Sequence, residues 1–91
     1  MITKDVNQTK HLLFFKETQI SGNTISYRLA RKENRLEISV RTVFHDGSEC
    51  HAVLSDLSEP VGLCAEFVRR LYRSKSDPRA LFELWEDFPK E

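Results

Sequence analysis

Ninety-one residues, 31% charged and 40% hydrophobic, with 14 basic and 14 acidic side chains cancelling to zero, describe one small ordered domain rather than a disordered chain. A domain of this size buries only about 60–65% of its unfolded surface, which leaves little volume for a deep substrate cleft. Zero net charge also argues against a protein whose affinity comes from neutralising phosphates.

No apolar run approaches the ~20 residues of a membrane span, and no basic-then-apolar export pattern opens the chain. The expectation is a cytoplasmic protein without membrane contact, its two cysteines buried thiols in a reducing compartment, with a Cys50–Cys64 disulfide as the alternative. Charge is unevenly spread: residues 1–45 carry eight basic and four acidic groups, residues 46–91 six and ten. That asymmetry could orient a partner or a second copy, but a solvated surface is the simpler explanation.

Residues 1–9, MITKDVNQT, are polar and aperiodic and read as a flexible N-terminus; residues 10–91 read as a single small α+β domain. HLLFFKETQI follows as a strand, with Leu12 and Phe14 expected on one face and Leu13 and Phe15 on the other. Ser21-Gly22-Asn23 is turn chemistry, with Gly22 free to take positive φ. In TISYRLAR the residues Ile25, Tyr27 and Leu29 alternate with Ser26, Arg28 and Ala30. After a polar break at Lys32-Glu33-Asn34, Leu36, Ile38, Val40, Thr42 and Phe44 alternate with Glu37, Ser39, Arg41 and Val43. Both read as half-buried strands.

The stretch HDGSECH, residues 45–51, concentrates metal-ligand and nucleophile types, yet Asp46-Gly47 between alternating runs signals a hairpin. A two-residue loop would put Glu49 and His51 on the core face. A three-residue loop, His45-Asp46-Gly47 with glycine left-handed, pairs Phe44 with Ser48 and Val40 with Ala52, and turns Cys50, Ala52 and Leu54 inward. A one-residue slip flips every side chain, and burying an unpaired glutamate costs several kcal/mol, so the three-residue loop is expected. Cys50 and His51 then face opposite ways and cannot share a metal ion. Two cysteines fourteen positions apart also lack the short paired spacings of zinc sites.

The period then changes. Ser58-Glu59-Pro60 reads as a helix start, with Ser58 the cap and proline in the first turn. Val61, Cys64, Ala65, Val68, Leu71 and Tyr72 form one apolar stripe. Asp77-Pro78 starts a second helix, aspartate capping and proline first, with Leu81, Leu84, Trp85 and Phe88 as its stripe and Pro89 as its end. The expected architecture is ββββαα, a four-stranded antiparallel meander followed by two C-terminal helices packed on one face.

The Tyr27-x-Leu29 strand, the second alternating strand, the turn into Asp56-Leu57-Ser58 and the closing Leu81-x-x-Leu84-Trp85-Glu86-Asp87-Phe88 resemble a family of short uncharacterised bacterial proteins, over roughly residues 25–88. Trp85 stands where that pattern would carry a smaller aliphatic residue. The resemblance implies a strand meander followed by two helices and a bacterial cytoplasmic setting, and implies no activity.

No Gly-rich phosphate loop, nucleophile elbow or paired-cysteine motif occurs, so no catalytic residue, metal ligand or cofactor is assigned. Cys64 falls on or beside the apolar stripe and reads as core. Glu83, Glu86 and Asp87 read as a solvated helix face. Apolar groups left over after the helices cover one sheet face, namely Leu13 and Phe15 with Phe67 and Phe82, point to an interaction surface for a homodimer or another protein. The alternative is a nucleic-acid patch of Arg69, Arg70, Arg73 and Arg79, interleaved with aromatics near the helix junction. Its simpler explanation is cations complementing a helix C-terminus and pairing with Glu66.

Overall fold

The structure, a computed structural model, describes residues 10–90. The flexible start expected at residues 1–9 lies outside them. Four strands, β1 (Lys10–Ile20), β2 (Asn23–Lys32), β3 (Arg35–Val43) and β4 (Glu49–Leu57), form one antiparallel sheet in the order β1-β2-β3-β4. Two helices follow, α1 (Val61–Ser74) and α2 (Leu81–Asp87), the second led in by a 3-10 turn at Pro78–Ala80. α1 lies over β2 and its neighbours, while the 3-10 turn and α2 lie over β3 and β4. Among the described residues no helix lies on the other sheet face.

Alternation sets the inner face. Ile25, Tyr27 and Leu29 of β2 and Leu36, Ile38 and Val40 of β3 are buried together with Cys64, Val68, Leu71 and Leu81 from the helical layer. The β3–β4 loop is the three-residue one: Gly47 sits at φ +93° and donates to the Phe44 carbonyl, and the Phe44 amide donates to Ser48. Asp46 accepts from the Ser48 amide and hydroxyl, which holds its carboxyl below the usual range. Val40 pairs with Ala52, Thr42 with Cys50 and Arg41 with His51, so Cys50 turns inward and His51 outward.

Two bulges depart from simple alternation. In β1 the register shifts between Leu12 and Phe14, so Leu12 pairs with Ala30 whereas Phe14 pairs with Leu29 and Phe15 with Arg28. Paired residues share a face, which corrects the expected split: Leu12 leaves the Phe14 face and joins Phe15 on the outer one. In β4, Asp56 takes φ +58° beside a shift that pairs Leu54 with Ile38 and Leu57 with Leu36, so two leucines three apart both reach the core.

The start and the stripe of α1 also differ from expectation. Ser58 is not its cap. Pro60 occupies that position in extended backbone, and its carbonyl accepts from Leu63 and Cys64; proline has no N–H to leave unpaired there. The buried stripe is Cys64, Phe67, Val68 and Leu71, while Val61 is exposed. Phe67 is a correction in its own right, being 2% exposed instead of part of a surface. Its ring meets Trp85 edge-on at 4.9 Å and Phe88 at 5.1 Å, so α2 buries the flank that one helix alone leaves open. Trp85 and Phe88 stack at 6.1 Å, and Phe67 is the ring that meets both.

The end of α1 is a left-handed turn at Lys75, φ +54°, with the Lys75 amide donating to Tyr72 and the Ser76 amide to Leu71, a Schellman arrangement. The buried Tyr27 hydroxyl donates to the Ser76 carbonyl at 2.8 Å and ties this turn to the sheet; burial, with a smaller contribution from Asp77, pushes its pKa up to about 12.

Asp77 caps the 3-10 turn as expected, its carboxylate accepting from the Arg79 amide at 2.9 Å. The Arg79 guanidinium, also at 2.9 Å, is the main reason its pKa lies below the usual carboxylate value. A depressed folded pKa means this contribution is present above the ordinary carboxylate pKa and is lost as pH falls through the lower one. Asp77→Ala is expected to lower stability by about 1 kcal/mol at neutral pH. In urea melts across pH, its gap from the parent should narrow below about pH 4.

Candidate functional site

The outer sheet face divides into an apolar strip along β1 and a polar centre. Leu12, Leu13 and Phe15 are 57%, 41% and 41% exposed. Leu12 and Phe15 reach the same face because the Leu13 bulge shifts the pleat by one position. β1 is an edge strand, with its outer row of backbone groups unpaired among the described residues. The Arg28 guanidinium stands over the Phe15 ring at 5.7 Å, and the Lys10–Glu37 ion pair at 3.0 Å spans β2 above the buried Ala30.

The polar centre is a shallow depression of about 240 Å³ lined by Ser26, Arg28, Ser39, Arg41, Glu49 and His51. Arg41 grips Glu49 with two hydrogen bonds of 3.0 and 2.8 Å. That contact holds the Glu49 carboxyl below its ordinary pKa and raises that of Arg41.

Of the four residues expected to form one interaction surface, the fold keeps two together. Leu13 and Phe15 share the β1 strip, Phe67 is in the core, and Phe82, 54% exposed, lies on α2 over the β4 side of the sheet. Leu12 was not anticipated as a member. Its sequence signal is the three-residue spacing to Phe15, which matches one face only if a bulge intervenes.

The basic candidates also separate. Arg69, Arg70 and Arg73 gather on α1 around Glu66 at 3.4, 3.5 and 3.2 Å. Partial desolvation works against ionisation of Glu66 and is outweighed by Arg70, Arg73 and Arg69, which together hold its carboxyl below the usual range. Arg69 also covers the Phe14 ring at 5.4 Å and Arg70 the Phe88 ring at 5.0 Å. Arg79 is held elsewhere by Asp77 at 2.9 Å.

Cys64 is fully buried, and burial with a lesser effect of Glu59 pushes its thiol up to about 11, which suits a core residue and not a nucleophile. Both cysteines are free thiols. Among the described residues no three His, Cys, Asp or Glu side chains converge as metal ligands, and no helix is long and apolar enough to cross a membrane.

Comparison with known proteins returned no matching family model, no curated relative and no solved structure of similar fold.

Proposed function

We propose that this protein works by protein–protein binding, without catalysis, and that its apolar strip is occupied by a second copy of the same chain. The observation that carries this is Leu12 and Phe15 on one face, with the bulged Leu13 between them in the chain, all exposed on a strand whose outer edge is unpaired among the described residues. Isolated exposed aliphatics are ordinary, but a cluster at a sheet edge combines apolar surface with unpaired backbone donors and acceptors. A second β1 strand, related by a twofold axis, offers complementary groups for both. Of the charges beside the strip, Lys10 is already paired with Glu37 and the Arg28 guanidinium is drawn over the Phe15 ring within one copy.

The free thiols fit a reducing cytoplasm, and the resemblance of the strand and helix pattern suggests a bacterial one. Hydrogen exchange tests the reading: edge amides of β1 should gain protection as protein concentration rises. Exchange independent of concentration would refute it.

The nucleic-acid alternative keeps only Arg69, Arg70 and Arg73, three cations sharing one carboxylate. It requires salt-sensitive oligonucleotide binding that is lost when those arginines become glutamine.

A further inference from the structure

A second feature, independent of self-association, lies where the far end of the sheet meets the link between the helices. A cavity of about 250 Å³ opens there, with Ile20, Ile25 and Phe44 forming an apolar wall and Thr42, Lys75 and Arg79 among its polar lining. Cys50, directly across the strand pair from Thr42, and Asp77 complete that end.

Three observations concern charge and hydrogen bonding. Thr42 is 4% exposed, and its hydroxyl is the one buried side-chain polar atom among the described residues without a hydrogen-bond partner. A buried hydroxyl cut off from water loses its solvation with nothing in return, and valine would fill the same space without that loss. Arg79 is neutralised by Asp77, whereas Lys75 makes no ion pair among the described residues. Lys75, Arg79 and Asp77 therefore sum to one positive charge. Finally, Lys75 sits at a left-handed helix end where glycine is the usual choice, so local backbone preference does not account for lysine.

We propose that this cavity binds a small monocarboxylate with a short aliphatic body. The apolar part lies against Ile20, Ile25 and Phe44, and the carboxylate pairs with Lys75. A single net positive charge matches a monoanion, and the mixed lining matches small-molecule sites, where a few polar groups orient a mostly apolar ligand. The volume limits the ligand to a handful of heavy atoms. A phosphate, largely a dianion at neutral pH, would call for more positive charge than the single net charge that Lys75, Arg79 and Asp77 leave here.

Amide-resolved NMR titration with hexanoate, hexanol and hexylammonium tests the proposal. Hexanoate should give saturable shifts at Thr42, Cys50 and Lys75, hexanol should bind about tenfold more weakly, and hexylammonium should not bind. Lys75→Gly keeps the left-handed turn and should reduce hexanoate to the level of hexanol.

Cys50 supplies a readout on the unaltered protein, because the fully buried Cys64 stays unreactive. Saturating hexanoate should slow alkylation of Cys50 by iodoacetamide severalfold. Equal binding of the three probes, no shifts at millimolar hexanoate, an unchanged affinity in Lys75→Gly or an unchanged alkylation rate would each overturn it.

Discussion

Phe67→Ala is expected to destabilise the fold by about 3–5 kcal/mol, the range for removing a buried aromatic ring. The ring touches both Trp85 and Phe88, so its loss leaves a void between α1, α2 and the sheet that those rings cannot close together. Against a total of roughly 5–15 kcal/mol for a domain, this removes a large share. At about 4–8 °C per kcal/mol for a chain of this length, melting should fall by more than ten degrees. Val61→Ala on the same helix should change stability by less than about 0.5 kcal/mol, since Val61 is exposed. Thermal melts of the two variants separate the alternative stripes of α1: comparable effects would mean that Phe67 is not in the core.

Joint replacement of Leu12 and Phe15 by serine is expected to abolish self-association while leaving the monomer folded. Full burial of such side chains contributes about 1.5–3 kcal/mol each, and both are already partly covered in one copy. Taking about 1 kcal/mol per side chain, and counting both copies, the interface loses roughly 4 kcal/mol, close to a thousandfold in dissociation constant. Phe82→Ser, on the opposite flank of the molecule, should leave association unchanged. Retained association in the double variant, or its loss in Phe82→Ser, would shift the interface away from β1.

Much of the fold can be read from local rules. Strand alternation at Ile25, Tyr27 and Leu29 and at Leu36, Ile38 and Val40 places the inner sheet face. The cost of burying Glu49 and His51 selects the three-residue loop and with it the inward turn of Cys50. Asp77-Pro78 marks the second helical segment. What escapes such reading are the points where parity breaks. A bulge at Leu13 and a left-handed Asp56 each insert one residue, so Leu12 changes face and Leu57 reaches the core beside Leu54. Neither position carries the glycine that would announce it.

Phe67 was hidden for another reason. Val61-Cys64-Ala65-Val68 and Cys64-Phe67-Val68-Leu71 both have helical spacing, and only the arrival of Trp85 and Phe88 decides which flank is covered. The candidate surface is correspondingly half legible: Leu13 and Phe15 follow from local pattern, whereas Leu12 depends on the bulge and Phe82 on where α2 lands. Arg79 likewise reads as part of a basic run along the chain, but its own cap residue Asp77 draws it away from Arg69, Arg70 and Arg73.

Sedimentation equilibrium of the unmodified chain over micromolar concentrations addresses self-association most directly. A weight-average mass rising with concentration from the 10.6 kDa of one chain to twice that value is the predicted result. A mass that stays at that of one chain throughout would contradict it.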